Sequence, residues 1–467
     1  MLIEIAILRK KKWFVFLRFY GNVLILNSLS KNTLYMKEKF LHYVWRHKRF
    51  DLTDLQTTEG ESIKLIQSGE NNQNAGPDFL NSKIQIGETI WAGNVEIHLK
   101  SSDWLAHNHQ HNKAYNNVIL HVVLEEDRPI FRTSGERIPC LELRNRIPSN
   151  LSKIYLRLLN NEHWIPCQYH FFQVSEITKN LWLDRMLVDR LEEKTKAIEQ
   201  RLEENKGDWE ATFYQFLAKN FGLKVNAEPF EMLAQSLPHI ILGKHKNNRL
   251  QIEALLFGQA GLLEKEFQDD YPKRLRKEYH FLQKKYSLHP LSETSWKFLR
   301  MRPANFPTIR LAQFASLIVQ SVHLFNKILE IENVAEVEKL FQVQLADYWL
   351  THYIFDKEST KRNKSLGKSA IYLIVINTVV PFLFLFGKRK EEDSFKDKAF
   401  RFLEALKPEK NIIVSSWMDL GQEPDSAYQT QALLQLKNRY CDHKKCLDCS
   451  IGNSILKRAP EEESTIS

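Results

Sequence analysis

Cysteine is scarce in this chain: five among 467 residues, at Cys140, Cys167, Cys441, Cys446 and Cys449. An odd count with three of them packed into nine residues makes a poor disulfide framework. It suits a reducing cytosol and thiolate ligation instead. Also missing is an unbroken apolar stretch of ~20 residues, the length a spanning helix requires. The longest candidate, Ile371–Phe386, contains Asn377 and Pro381 and reads as a buried helix, so no membrane partner is expected. The N-terminal run Trp13–Leu26 is interrupted by Arg18, Gly21 and Asn22, and no small-residue cleavage site follows it, which argues against a signal peptide. There is no P-loop, no nucleophile elbow, no H-E-x-x-H zinc motif and no repeat period of a solenoid. A broad excess of charge is lacking too. The formal net charge is +9, and residues 1–35 supply +5 of it, with six Lys/Arg against Glu4. The remainder is only mildly basic, so charge says little about nucleic acid.

What is present divides along the chain. Residues 1–35 read as an unstructured leader or a misread start, and MKEKFLHYVWRHKRF from Met36 has the periodicity of an amphipathic helix to Phe50. Strand patterns follow at Ser62–Gln67, Phe79–Ile86 and Ile90–Leu99, with a polar loop at Gly69–Gly76 and a tight turn at Gly87-Glu88. Ser102–Tyr115 has room for a short helix capped by Ser102 or Asp103. Asn117–Leu124 is a β-branched run of the kind buried on both faces. From Ser175 helical patterns dominate, at 175–205, 209–221, 229–237, 248–257, 271–286, 309–331, 334–341 and 427–440. The expected class is α+β. An αβββαβ domain with a mixed sheet (36–150) precedes a mainly helical region (151–440), and a cysteine site with a polar tail (441–467) ends the chain.

The chemistry concentrates in GPDF, at Gly76–Phe79, and NVEIHLK, at Asn94–Lys100. Side chains alternate along a strand, so Glu96, His98 and Lys100 share a face. The turn at Gly87-Glu88 makes this strand antiparallel to the one that Asp78 opens. Asp78 and Glu96 are then expected within the span of one divalent ion, and paired carboxylates suit Mg²⁺ or Mn²⁺. A plainer account has Asp78 capping a turn and Glu96–His98 on a solvated sheet face.

Helix, three strands, helix, strand, with Pro77-Asp78 before the second strand and Glu96-Ile97-His98 on the third, resembles the PD-(D/E)XK nuclease superfamily. From about Met36 to Asn453 the chain also resembles an uncharacterised bacterial family of unknown function, whose words stand here as AGPDF, WAGNVEIH, SDW and YNNVILHVV. That second resemblance carries no activity. The first implies phosphodiester hydrolysis of nucleic acid, with Asp78 and Glu96 as metal ligands and Glu38, on the first helix, as a third acid. His98 stands where the superfamily has Lys, and Lys100 is the other candidate for that role. The departure leaves open a catalytically inactive, nucleic-acid-binding version of the same fold.

His107, His109, His111 and His121 join His98 in a candidate imidazole-rich site, with His109 and His121 the better metal candidates and His111 a surface residue. Imidazole favours Zn²⁺, Fe²⁺ or Mn²⁺, which supports the alternative of a histidine-ligated metal hydrolase. Near the C-terminus, YCDHKKCLDCSIG gives Cys441, Cys446 and Cys449 the spacing Cys-x4-Cys-x2-Cys. With His443 or the remote Cys167 as fourth ligand, this is a candidate zinc or iron–sulfur site. The plan of one upstream cysteine and three near the end resembles helicase-associated members of the nuclease superfamily. Lys277, in a basic helical stretch with Tyr279 and Phe281, and Arg300 and Arg302, beside prolines, are candidate nucleic-acid contacts.

Overall fold

A computed structural model describes residues 37–321 and 323–458. The leader assigned to residues 1–35 lies outside them. The chain divides between Arg157 and Leu158 into two compact units.

The first unit opens with helix α1, Glu38–Arg46. Phe40, Leu41, Val44 and Trp45 recur at helical spacing and are fully buried. They leave Glu38 and His42, one turn apart, on another face. Trp45 donates its indole N–H to the Ser68 carbonyl at 2.9 Å, which pins the helix to the sheet. The strands are β1 (Ile63–Gln67), β2 (Glu70–Asn71), β3 (Phe79–Ile86), β4 (Thr89–Lys100), β5 (Val118–Glu125) and β6 (Cys140–Glu142). They form one sheet in the order β1-β3-β4-β5-β6, with β2 also pairing β3. β3 and β4 are antiparallel, as their tight turn requires, while β5 and β6 run parallel to β4 and β5, so the sheet is mixed. Seven consecutive residues of β5 are buried, as expected of a strand covered on both faces.

Three details depart from the sequence expectation. The polar loop at Gly69–Gly76 contains the two-residue strand β2, an edge too short to carry a pattern. The helix expected over 102–115 shrinks to α2, Asp103–Ala106, followed by 3-10 turns at His109–His111 and Lys113–Tyr115. A sixth strand, β6, adds to the predicted set. Two close approaches shape the site side of the sheet. Phe79 pairs with Val95 and Ser82 with Gly93, so β3 carries one extra residue there, and Asn81 takes φ +57° to accommodate it. At Gly93 a Cβ would meet the Asn117 carbonyl at 2.6 Å and Ile119 Cγ2 at 2.4 Å, so only glycine lets β5 start this close to β4.

The second unit is built almost wholly of helices. Those at Glu176–Glu204, Trp209–Phe221, Arg249–Gln259 and Val334–Phe341 begin at Ser175, Asp208, Asn248 and Asn333, whose side chains each accept a backbone N–H three residues on. The run expected as one helix over 309–331 is two, Pro307–Gln320 and Leu324–Glu330. The apolar run lies in a helical stretch over Lys368–Lys390, long and apolar enough to cross a membrane by length and composition, but 72% of its most apolar window is buried within the protein. Pro381 has no N–H to give, and a π-helical turn at Val375–Val379 precedes it. The Lys194 ammonium bonds the Ile376 carbonyl at 3.3 Å there.

Candidate metal centre on the mixed sheet

Asp78 and Glu96 interlock. The Asp78 N–H donates to Glu96 Oε2 at 3.1 Å, and the Ile97 N–H donates to Asp78 Oδ2 at 3.0 Å. Each carboxylate is thus held by the backbone of the other's strand, a direct product of the antiparallel β3–β4 pair. From α1, His42 Nε2 lies 3.3 Å from Asp78 Oδ2 and 3.9 Å from Glu38 Oε1. Glu96 is 4% exposed. Burial, then the Asp78 and Glu38 charges, push its carboxyl up to about 9. Burial alone would lower His42, but the Asp78 and Glu38 carboxylates outweigh it and hold the imidazole at about 9, protonated at neutral pH. Three acids and a histidine drawn into its cationic form describe a place that lacks positive charge.

On the other side of Glu96 stand four imidazoles. His98 Nδ1 bonds His121 Nε2 at 2.8 Å, and His98 Nε2 approaches His107 Nδ1 at 3.2 Å. Glu96 Oε1 lies 3.1 Å from His109 Nε2 and 3.5 Å from His98 Nε2. Burial, then the neighbouring imidazoles, depress His98 to about 2, and burial, then His109, depress His121 to about 3. Both rings are neutral at physiological pH.

Local structure explains the cluster. Asn108 adopts the left-handed conformation, φ +59°, and this reversal lets His107 and His109 both turn toward His98. Trp104 sets its ring edge-on to His98 and His109, and Tyr115 stacks on His109 at 3.8 Å. Asp127 accepts hydrogen bonds from Ser101 Oγ, Ser102 N–H and Ser102 Oγ, tying the β4–α2 corner to the chain after β5.

Among the described residues, two sets of three ligand atoms close to within 4.8 Å of one another: Glu38, His42 and Asp78, and His98, His107 and His109. The sequence candidates Glu38, Asp78, Glu96, His98, His109 and His121 therefore gather at one place. Lys100 does not join them. It is exposed at the end of β4 and offers its backbone N–H to Asp103. His111 is exposed, as expected. His42 was not foreseen, although it stands four residues after Glu38 on a predicted helix, which was the available signal.

In the second unit, Cys167 and Cys449 are buried and Cys441 and Cys446 half-buried. Burial, and then the other three thiols, hold Cys441 well above its ordinary value, and Cys167 is raised by burial and by Cys449 and Cys446. They are not among the sets of three ligand atoms that close to within 4.8 Å, and His443 is exposed. Lys277, Arg300 and Arg302 are also exposed, whereas Tyr279 turns inward and bonds Gln259.

Fold and site together define an α+β protein whose mixed sheet carries a buried carboxylate–imidazole cluster. The chain belongs to a family described as protein of unknown function (DUF2851), whose family model matches residues 38–412. Neither the curated proteins nor the solved structures contain a match to it.

Proposed function

We propose that the first unit is a divalent-metal-dependent phosphodiesterase of the PD-(D/E)XK type, acting on nucleic acid. The observation that carries this is the interlocked pair Asp78–Glu96, faced by Glu38 from α1. Glu38, Asp78 and Glu96 are hard oxygen donors that fit Mg²⁺ or Mn²⁺. Such an ion, when bound, polarises a phosphoryl oxygen and lowers the pKa of a coordinated water. A cation there would also return Glu96 to its ionised form and free His42 of its proton. The chain's own residues orient the site. The backbone N–H groups of Asp78 and Ile97 fix the two carboxylates, and neutral His98 lies 3.5 Å from Glu96.

Four thiols in a reducing cytosol suit a structural zinc ion or iron–sulfur cluster, which we place at Cys167, Cys441, Cys446 and Cys449. Exposed Lys277, Arg300 and Arg302 are the proposed phosphate contacts.

The test is cleavage of DNA and RNA by the purified full chain with Mn²⁺ or Mg²⁺. Activity is expected with the metal, none with a chelator, and none in Asp78→Ala or Glu96→Ala. Cleavage that survives both substitutions would overturn the assignment. Binding without cleavage in the parent chain would favour an inactive nucleic-acid-binding protein on the same scaffold.

A further inference from the structure

The histidines beside Glu96 crowd their ring nitrogens together. A neutral imidazole has one N–H and one lone pair. His98 meets His121 through Nδ1, while its Nε2 faces both His107 Nδ1 and Glu96 Oε1. If His98 gives its proton to His121, its Nε2 lone pair points at a carboxylate oxygen and at a second imidazole. His109 Nε2 is buried and lies 3.1 Å from the same Glu96 oxygen, yet it is not aligned for a hydrogen bond with any group. A buried imidazole nitrogen with no hydrogen-bond partner, on a histidine that closes to within 4.8 Å of two others, is what a ligand of a shared cation looks like.

The distances agree. Ligands held about 2.0–2.1 Å from a tetrahedral ion are separated by about 3.3–3.4 Å. His98 Nε2 and His107 Nδ1 are 3.2 Å apart, and the ligand nitrogens of His98, His107 and His109 all lie within 4.8 Å of one another, with Glu96 Oε1 beside them at 3.1 Å from His109 and 3.5 Å from His98. The remaining oxygen, Glu96 Oε2, faces the Asp78 side. His98 would carry its other nitrogen proton to His121, the outer hydrogen bond that metal-bound histidines nearly always make.

We propose that His98, His107 and His109 bind a zinc-type divalent ion, with Glu96 between it and the acid-held ion. Three imidazole nitrogens select Zn²⁺ or Co²⁺ over Mg²⁺. The two-metal arrangement rests on the phosphodiesterase reading only for its neighbour ion; the histidine site stands on its own geometry.

Cobalt distinguishes this site from the cysteine group, because thiolate ligation adds charge-transfer bands that nitrogen and oxygen ligands lack. The full chain, stripped of metal and titrated anaerobically with Co²⁺ alone, is expected to show the visible bands of a tetrahedral nitrogen/oxygen site. His107 is exposed, so His107→Ala leaves packing intact. It is expected to bind one ion fewer per chain and to lose those bands, with any thiolate bands unchanged. His111→Ala should retain both. Asp78→Asn should lose cleavage and keep the cobalt bands. Should the parent bind cobalt in this way but cut nothing, the histidine site survives and the nuclease reading does not. The proposal is overturned if His107→Ala and His109→Ala bind as many ions as the parent with the same spectrum. It is equally overturned if the parent shows thiolate-type bands alone.

Discussion

Glu253 shows how a single buried carboxyl can set a pH response away from any candidate site. It is 1% exposed, accepts a hydrogen bond from the Tyr271 hydroxyl, and its other oxygen has no hydrogen-bond partner. Burial raises it from 4.5 to about 7. Between those two values the folded chain keeps a proton that the unfolded chain releases. Stability from this group is therefore complete below pH 4.5, falls as pH rises, and is fully lost above about 7. The whole effect is on the order of 3 kcal/mol, at about 1.4 kcal/mol per pH unit. Glu253→Gln, which keeps the shape and stays neutral, is expected to move the urea midpoint upward at pH 8 relative to pH 5. An equal shift at both pH values would count against the assignment. At this scale the sequence was partly legible. Asp78 and Glu96 could be paired because a tight turn and strand alternation fix relative position over a few residues. His42 was missed because α1 was read for its apolar stripe, and a polar residue off that stripe carries no pattern of its own.

The corner between α2 and β5 sets the imidazole geometry. Asn108 alone reverses the chain between His107 and His109, at φ +59°. Asparagine tolerates this conformation, glycine adopts it freely, and a β-branched residue pays about 1–2 kcal/mol or more. Asn108→Gly is expected to bind zinc as the parent does, and Asn108→Val to bind it roughly 5- to 30-fold more weakly, the equivalent of that cost. Isothermal titration with Zn²⁺ reads the difference; matching affinities would show that the corner does not set the site. Element boundaries follow the same logic of what a short segment can announce. Helices with side-chain caps, such as those starting after Ser175, Asp208 and Asn333, were readable to within a residue or so. β2 and β6, two and three residues long, exist only because a neighbouring strand pairs with them. The extra residue in β3 is invisible for the same reason. Phe79 and Ile84 are both buried although their positions differ in parity, and only the partner strand reveals why.

Across the whole molecule, ligand-type side chains divide between the two units, the carboxylates and imidazoles of the sheet in the first and Cys167, Cys441, Cys446 and Cys449 in the second. Most of the second unit's core comes from helices, but its C-terminal segment is short and partly polar, with Cys446 and Cys449 leading into the helix Ser450–Lys457. Gly452 packs against the Cys446 carbonyl so closely that a Cβ would meet it at 2.2 Å. Cys446→Ser is expected to lose the bound zinc or iron and to destabilise the second unit by on the order of 4 kcal/mol, the stabilisation a ligand gives at about a thousand times its Kd. Calorimetry beside metal analysis of anaerobically purified protein measures both. An unchanged melting profile, with no metal in the parent, would leave the thiols as packing alone. The thiol site proposed above would also follow a schedule in biosynthesis. All side chains of the sheet-borne cluster, from Glu38 to His121, are made before Cys167. Cys449 follows Cys167 by about 280 residues, so at about 5–20 residues per second the ribosome needs roughly 14–56 s to deliver the last thiol. Until then the Cys167 thiol cannot complete the ligation proposed for it, whereas every side chain of the sheet-borne cluster has already been made.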